Sequence, residues 1–62
     1  MKTKELIKLL KRNDCRLSHH GKKHDMWYSG ATGKLFPVPR HKTEIAVGTL
    51  KSILKDAGIE GV

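Results

Sequence analysis

Two apolar stripes at helical spacing, one near each end of the chain, constrain its fold more than anything else in the sequence. Over residues 3–12, Leu6, Ile7, Leu9 and Leu10 share one side of a helix, while Lys4, Lys8, Lys11 and Arg12 fall elsewhere. Over roughly residues 47–57, Leu50, Ile53, Leu54 and Ala57 line up in the same way, with Lys51 and Lys55 outward. Each stripe must be covered by another apolar surface. The helix ends are also signalled. Thr3 is placed to cap the first helix with its hydroxyl, and Asn13-Asp14 ends it. Gly58 is placed to close the second in a left-handed conformation, with Ile59 making the apolar contact that accompanies such an end.

The segment between the stripes supplies the covering surface. Residues 15–20 alternate, with Cys15 and Leu17 to one side and Arg16 and Ser18 to the other, which predicts a half-buried strand. Gly21-Lys22-Lys23 makes a turn, and residues 24–29 form a second strand rich in aromatics. Gly30-Ala31-Thr32-Gly33 closes a hairpin onto a third strand at 34–38. Pro37 and Pro39 lack amide donors, so that strand belongs at a sheet edge. Arg40-His41-Lys42-Thr43-Glu44 is a polar crossover. The expected fold class is α+β in the order α-β-β-β-α. Residues 1–62 form one domain, a three-stranded antiparallel sheet with both helices on one face. The other face, or an edge, stays open to a ligand.

Composition narrows the function. A 62-residue chain buries only about 60% of the surface it exposes when unfolded, so a surface-acting role is expected over a deep cofactor pocket. Cys15 stands alone, which excludes an internal disulfide and any multi-cysteine zinc module, and suits a reducing cytoplasm. Thr3-Lys4-Glu5 is polar and Lys8 interrupts the first apolar run, so no signal peptide is expected. No apolar stretch reaches membrane length, so no membrane partner is expected either. With 13 Lys and Arg against 6 Asp and Glu, the net charge of +7 points to a polyanion, nucleic acid ahead of an acidic protein. Lysines that merely solubilise a small domain are the plain alternative.

The chemistry concentrates in Gly21-Lys22-Lys23-His24-Asp25-Met26-Trp27-Tyr28, where a basic turn runs into an aromatic strand. Imidazole accepts and donates protons near neutral pH without tuning. RNA cleavage by the neighbouring 2′-hydroxyl needs one proton removed, one supplied, and charge on the phosphoryl oxygens stabilised. His24 with Lys22 and Lys23 offers that set within three residues, and Arg40 offers a bidentate phosphate contact if the end of the third strand returns nearby. Strand alternation puts His24, Met26 and Tyr28 on one side and Asp25, Trp27 and Ser29 on the other. Asp25 therefore points away from His24. Met26 predicts that the His24 side faces the helices, leaving His24 at the rim of the core. The plain readings compete: solvated turn histidines and lysines, and Trp27 and Tyr28 as core residues. A metal site among His19, His20 and His24 is weak, because adjacent strand residues point to opposite faces and at most two of the three converge.

Three stretches give the chain a resemblance to the HicA family, the small mRNA-cleaving toxins of bacterial and archaeal toxin–antitoxin pairs. They are Glu5-Leu6-Ile7-Lys8-Leu9-Leu10, the turn Gly21-Lys22-Lys23-His24-Asp25-Met26, and Pro37-Val38-Pro39-Arg40-His41-Lys42-Thr43-Glu44-Ile45 leading into Gly48-Thr49-Leu50-Lys51-Ser52-Ile53-Leu54-Lys55-Asp56-Ala57-Gly58-Ile59. The resemblance implies a fold like the double-stranded RNA-binding domain and a metal-independent ribonuclease without a cofactor. It also implies a single catalytic histidine at His24 and a partner antitoxin of the HicB type covering the active site. Many members place Gly-Ser directly before the histidine, whereas here Lys22-Lys23 follows Gly21. His19 and His20 stay in contention as the active group, and a second acid or base is left to His41, a lysine or water. Two further readings stand beside the nuclease: a module that binds RNA by shape without cutting it, and a basic surface whose only role is to dock an acidic protein.

Overall fold

The computed structural model describes residues 1–40 and 43–60. Its elements follow in the order α1 (Thr3–Arg12), β1 (Cys15–His20), β2 (His24–Ser29), β3 (Leu35–Pro39) and α2 (Val47–Ala57). The strands make one antiparallel sheet in the order β1-β2-β3. Both edges are therefore exposed, and β3 with its two prolines occupies one of them, as missing amide donors require. That strand begins one residue later than its pattern implied. Lys34 instead closes the hairpin, its carbonyl accepting from the Ser29 N–H at 3.0 Å.

The helices lie on one face, where Leu6 and Leu10 of α1 and Ile53 and Ala57 of α2 form a single buried cluster with Cys15, Trp27, Phe36 and Val38 of the sheet. Trp27 pairs with Phe36 across β2 and β3, and burying these two aromatic side chains supplies much of the apolar area of so small a core. The face beneath the helices is thus the one carrying Trp27 and Ser29. The side expected to pack inward, with Met26, instead forms the open face. Parity across β3 explains the correction: the bulky Phe36 and Val38 share Trp27's face, while the other face of β3 offers Leu35, Pro37 and Pro39. One methionine does not outweigh that set.

Tertiary contacts finish the helices. The N-cap of α1 is Lys2, without a side-chain cap bond, rather than Thr3. Thr3 is the buried first helical residue, and its backbone amide donates to the carbonyl of Thr43 at 3.0 Å, beside an isolated bridge between Lys2 and Glu44. A strap from before α2 thus does what the hydroxyl was expected to do. At the end of α2, Gly58 is left-handed at φ 76° and the Ile59 amide donates to Leu54 O at 2.9 Å, as its sequence predicts. The β2–β3 hairpin then satisfies two more carbonyls of that helix end. Ser29 Oγ donates to Ala57 O at 2.8 Å, and Thr32 Oγ1 donates to Asp56 O at 2.5 Å.

One irregularity decides which residues share a face. Cys15, Arg16 and Leu17 pair with Ser29, Tyr28 and Trp27, but the next pairs are His19 with Met26 and His20 with Asp25. Ser18 is the extra residue of a bulge, and an extra residue shifts everything after it to the other face. Strict alternation would have sent His19 toward the helices and His20 to the open side. The bulge reverses both.

Candidate active site

The β1–β2 turn is held by a short backbone contact. The Gly21 amide donates to the His24 carbonyl at 2.8 Å, leaving Lys22 and Lys23 as the exposed loop between them. A Cβ added at Gly21 would stand 2.7 Å from that same carbonyl oxygen, so only glycine lets the chain close this tightly. His24 follows as the first residue of β2, paired with Pro39 of β3, and its side chain is exposed. Lys22, Lys23 and His24 line one shallow depression of ≈ 370 Å³, whose floor is Met26 and Pro37. The residues expected to act together are therefore neighbours in space as well as in sequence.

Arg40, expected beside them as a phosphate ligand, does return to the turn, but its guanidinium faces the protein. Nη2 donates to the carbonyls of Gly21 and Lys22, both at 2.9 Å, and Nη1 donates to Asp25 Oδ1 at 3.3 Å. Asp25 Oδ1 also lies 2.7 Å from His20 Nδ1. Because a carboxylate only accepts, that nitrogen carries the proton. Asp25 stands on the face opposite His24, as alternation predicted, and the histidine it orients is His20. Arg40, Asp25 and His20 thus form a latch behind the turn, with His24 in front. His41 lies outside the described residues.

A family model described as the HicA toxin of bacterial toxin–antitoxin systems matches residues 3–59. The chain belongs to the HicA toxin family. Neither the curated proteins nor the solved structures give a match. This HicA chain is thereby a toxin of a toxin–antitoxin system, and no described helix is long and apolar enough to cross a membrane.

On the HicA open face, two features escaped sequence reasoning. Arg16 lies over the ring of Tyr28, 5.0 Å from its centroid, so of the two adjacent aromatics Trp27 is core and Tyr28 is surface. His19 shares the face as well, with Ser18 Oγ 3.1 Å from its Nδ1. The first could be read from strand parity once the buried side is known. The second follows only from the bulge, which leaves no mark in the residue pattern. Among the described residues, no three His, Cys, Asp or Glu side chains gather as a metal site would require. Cys15 lies on the far side of the sheet, where burial pushes its thiol pKa up; a hydrogen bond with Ser29 opposes this in part, and the charge of Asp14 adds a lesser push upward.

Proposed function

We propose that this HicA toxin is a metal-independent endoribonuclease that cleaves mRNA through His24, uses no cofactor, and is neutralised by a HicB-type antitoxin. The observation carrying the proposal is the exposed imidazole of His24 on the open face of the sheet, beside two lysines on a turn closed by the Gly21–His24 backbone hydrogen bond. An RNA strand laid across that face brings a ribose 2′-hydroxyl to the imidazole. As the proton leaves, the oxygen attacks the adjacent phosphorus, and the negative charge growing on the phosphoryl oxygens falls near Lys22 and Lys23. Arg40, bonded to the turn carbonyls, holds those lysines in place and adds positive potential behind them. The apolar floor, with Leu35 half exposed at 52% and Pro37 and Pro39 nearby, offers a protein partner a surface that blocks the site when covered.

The test is expression of wild type and His24→Ala in cells, following growth and total mRNA. Wild type is expected to arrest growth and deplete mRNA, and the variant to do neither. Equal toxicity of the two would remove His24 as the catalyst. Intact RNA after long incubation with purified, folded wild type would instead favour a module that binds RNA without cutting it.

A further inference from the structure

Cleavage by 2′-hydroxyl attack moves two protons, and His24 can hold only one at a time. We infer that His19 is the second proton-transfer group of this site, an inference that rests on the nuclease reading above. The bulge at Ser18 turns His19 onto the open face, opposite Met26, and Met26 is two residues along β2 from His24 on that same face. The two imidazoles are thus diagonal neighbours across one strand pair, with backbones roughly 7–8 Å apart. Side chains leaning inward from such positions span a single phosphodiester, one reaching the attacking oxygen and the other the leaving oxygen. Ser18 Oγ engages Nδ1 of His19, which leaves Nε2 as the nitrogen free to meet substrate. Both rings are exposed, and among the described residues no helix covers this face.

The competing histidine is disposed otherwise. His20 sits on the opposite face, and its Nδ1 is committed to Asp25. Among the described residues, the other ionisable groups on the His19 side are Arg16 and Tyr28, which pair with each other, and the lysines of the turn. β3 contributes only Leu35, Pro37 and Pro39 there. In the reaction one imidazole takes the 2′-hydroxyl proton as the new O–P bond forms. The other, entering as imidazolium, gives its proton to the departing 5′-oxygen as the old P–O bond breaks. The pair ends with its protonation exchanged, and a 2′,3′-cyclic phosphate and a 5′-hydroxyl are the products.

The experiment measures cleavage of a short RNA by the purified full chain across pH. It compares wild type, His19→Asn, His24→Asn and His20→Asn on a normal substrate and on one whose 5′-oxygen at the scissile bond is sulfur, a leaving group that needs no proton. Wild type is expected to show a two-limbed pH profile. His19→Asn should lose one limb and about a hundredfold in rate, His20→Asn should keep both limbs, and one of His19→Asn and His24→Asn should be rescued by the sulfur substrate. The proposal is overturned if His19→Asn keeps wild-type rate, or if it slows on both substrates alike with both limbs intact, as a merely structural role would give. If His24→Asn cuts at the wild-type rate, it is the nuclease reading through His24 that fails, whatever His19 does.

Discussion

Asp25 lies 2.7 Å from the imidazole of His20 and on the opposite face of β2 from His24, the histidine next to it in the chain. The carboxylate therefore does not orient the proposed catalytic ring. It anchors the back of the turn, together with Arg40, while the front stays free for a ligand. Substitutions behind the turn and in front of it should have separable consequences.

Asp25→Asn weakens both contacts of the latch and leaves every group on the open face in place. Hydrogen bonds to charged partners contribute about 1.5–3 kcal/mol each, and less where, as here, water reaches part of the pair. The expected result is a melting temperature lower by several degrees, about 4–8 °C per kcal/mol in a domain of this size. The shape of the pH–rate profile should be unchanged. Calorimetry and cleavage kinetics check the two halves separately, and a lost limb in the profile would show that Asp25 acts on the chemistry.

Gly21→Ala should damage the site more than its size implies. The new methyl would meet the His24 carbonyl at 2.7 Å, a backbone atom that moves only with the strand. Overpacking of this kind costs about 1–3 kcal/mol, and the displacement is delivered directly to His24. Cleavage is expected to fall by tenfold or more (~1.4 kcal/mol in the barrier) in protein that is still folded by circular dichroism.

Lys22→Ala with Lys23→Ala tests phosphate contact. Each phosphate neutralised on a single strand contributes about −0.7 to the slope of log affinity against log salt. The double variant should flatten that slope by up to about 1.4, measured by fluorescence anisotropy on a labelled RNA with His24→Ala as the common background. An unchanged slope would mean that the lysines point away from the bound strand.

Ser29→Ala tests the hairpin's grip on α2. The buried hydroxyl donates to Ala57 O at 2.8 Å, and its loss leaves that carbonyl without its partner. A destabilisation of about 1–3 kcal/mol is expected, visible in urea denaturation. Activity per folded molecule should be unaltered, because the site lies on the other face.

Cys15 carries a pH dependence with a definite sign. Burial raises the folded thiol pKa above its unfolded value. The corresponding stability is fully present below the unfolded pKa and is lost as pH rises through it to the raised folded value. Denaturant midpoints should therefore fall on the alkaline side of the ordinary thiol range, and less so in Cys15→Ala. Alkylation of the native thiol should be slow and should accelerate in urea.

The order of elements, the spans of both helices and of β1 and β2, the edge position of β3 and the glycine that ends α2 were all legible in the residues. Each depends on local physics: an apolar period of 3.6 or 2, a missing amide, a left-handed φ. The adjacency of Lys22, Lys23 and His24 was legible for the same reason, since three consecutive residues in a turn cannot be far apart. What the chain alone could not decide was which side of the sheet the helices take, because Met26 on one side and Trp27 on the other are both apolar and only the parity of Phe36 and Val38 across β3 breaks the tie. Nor could it show that Ser18 is an extra residue, which exchanges the faces of His19 and His20, or that Arg40 spends its guanidinium on the turn. The first two outcomes depend on how each strand pairs with its neighbour, and register is a property of the pair rather than of either strand; the third depends on where the end of β3 returns.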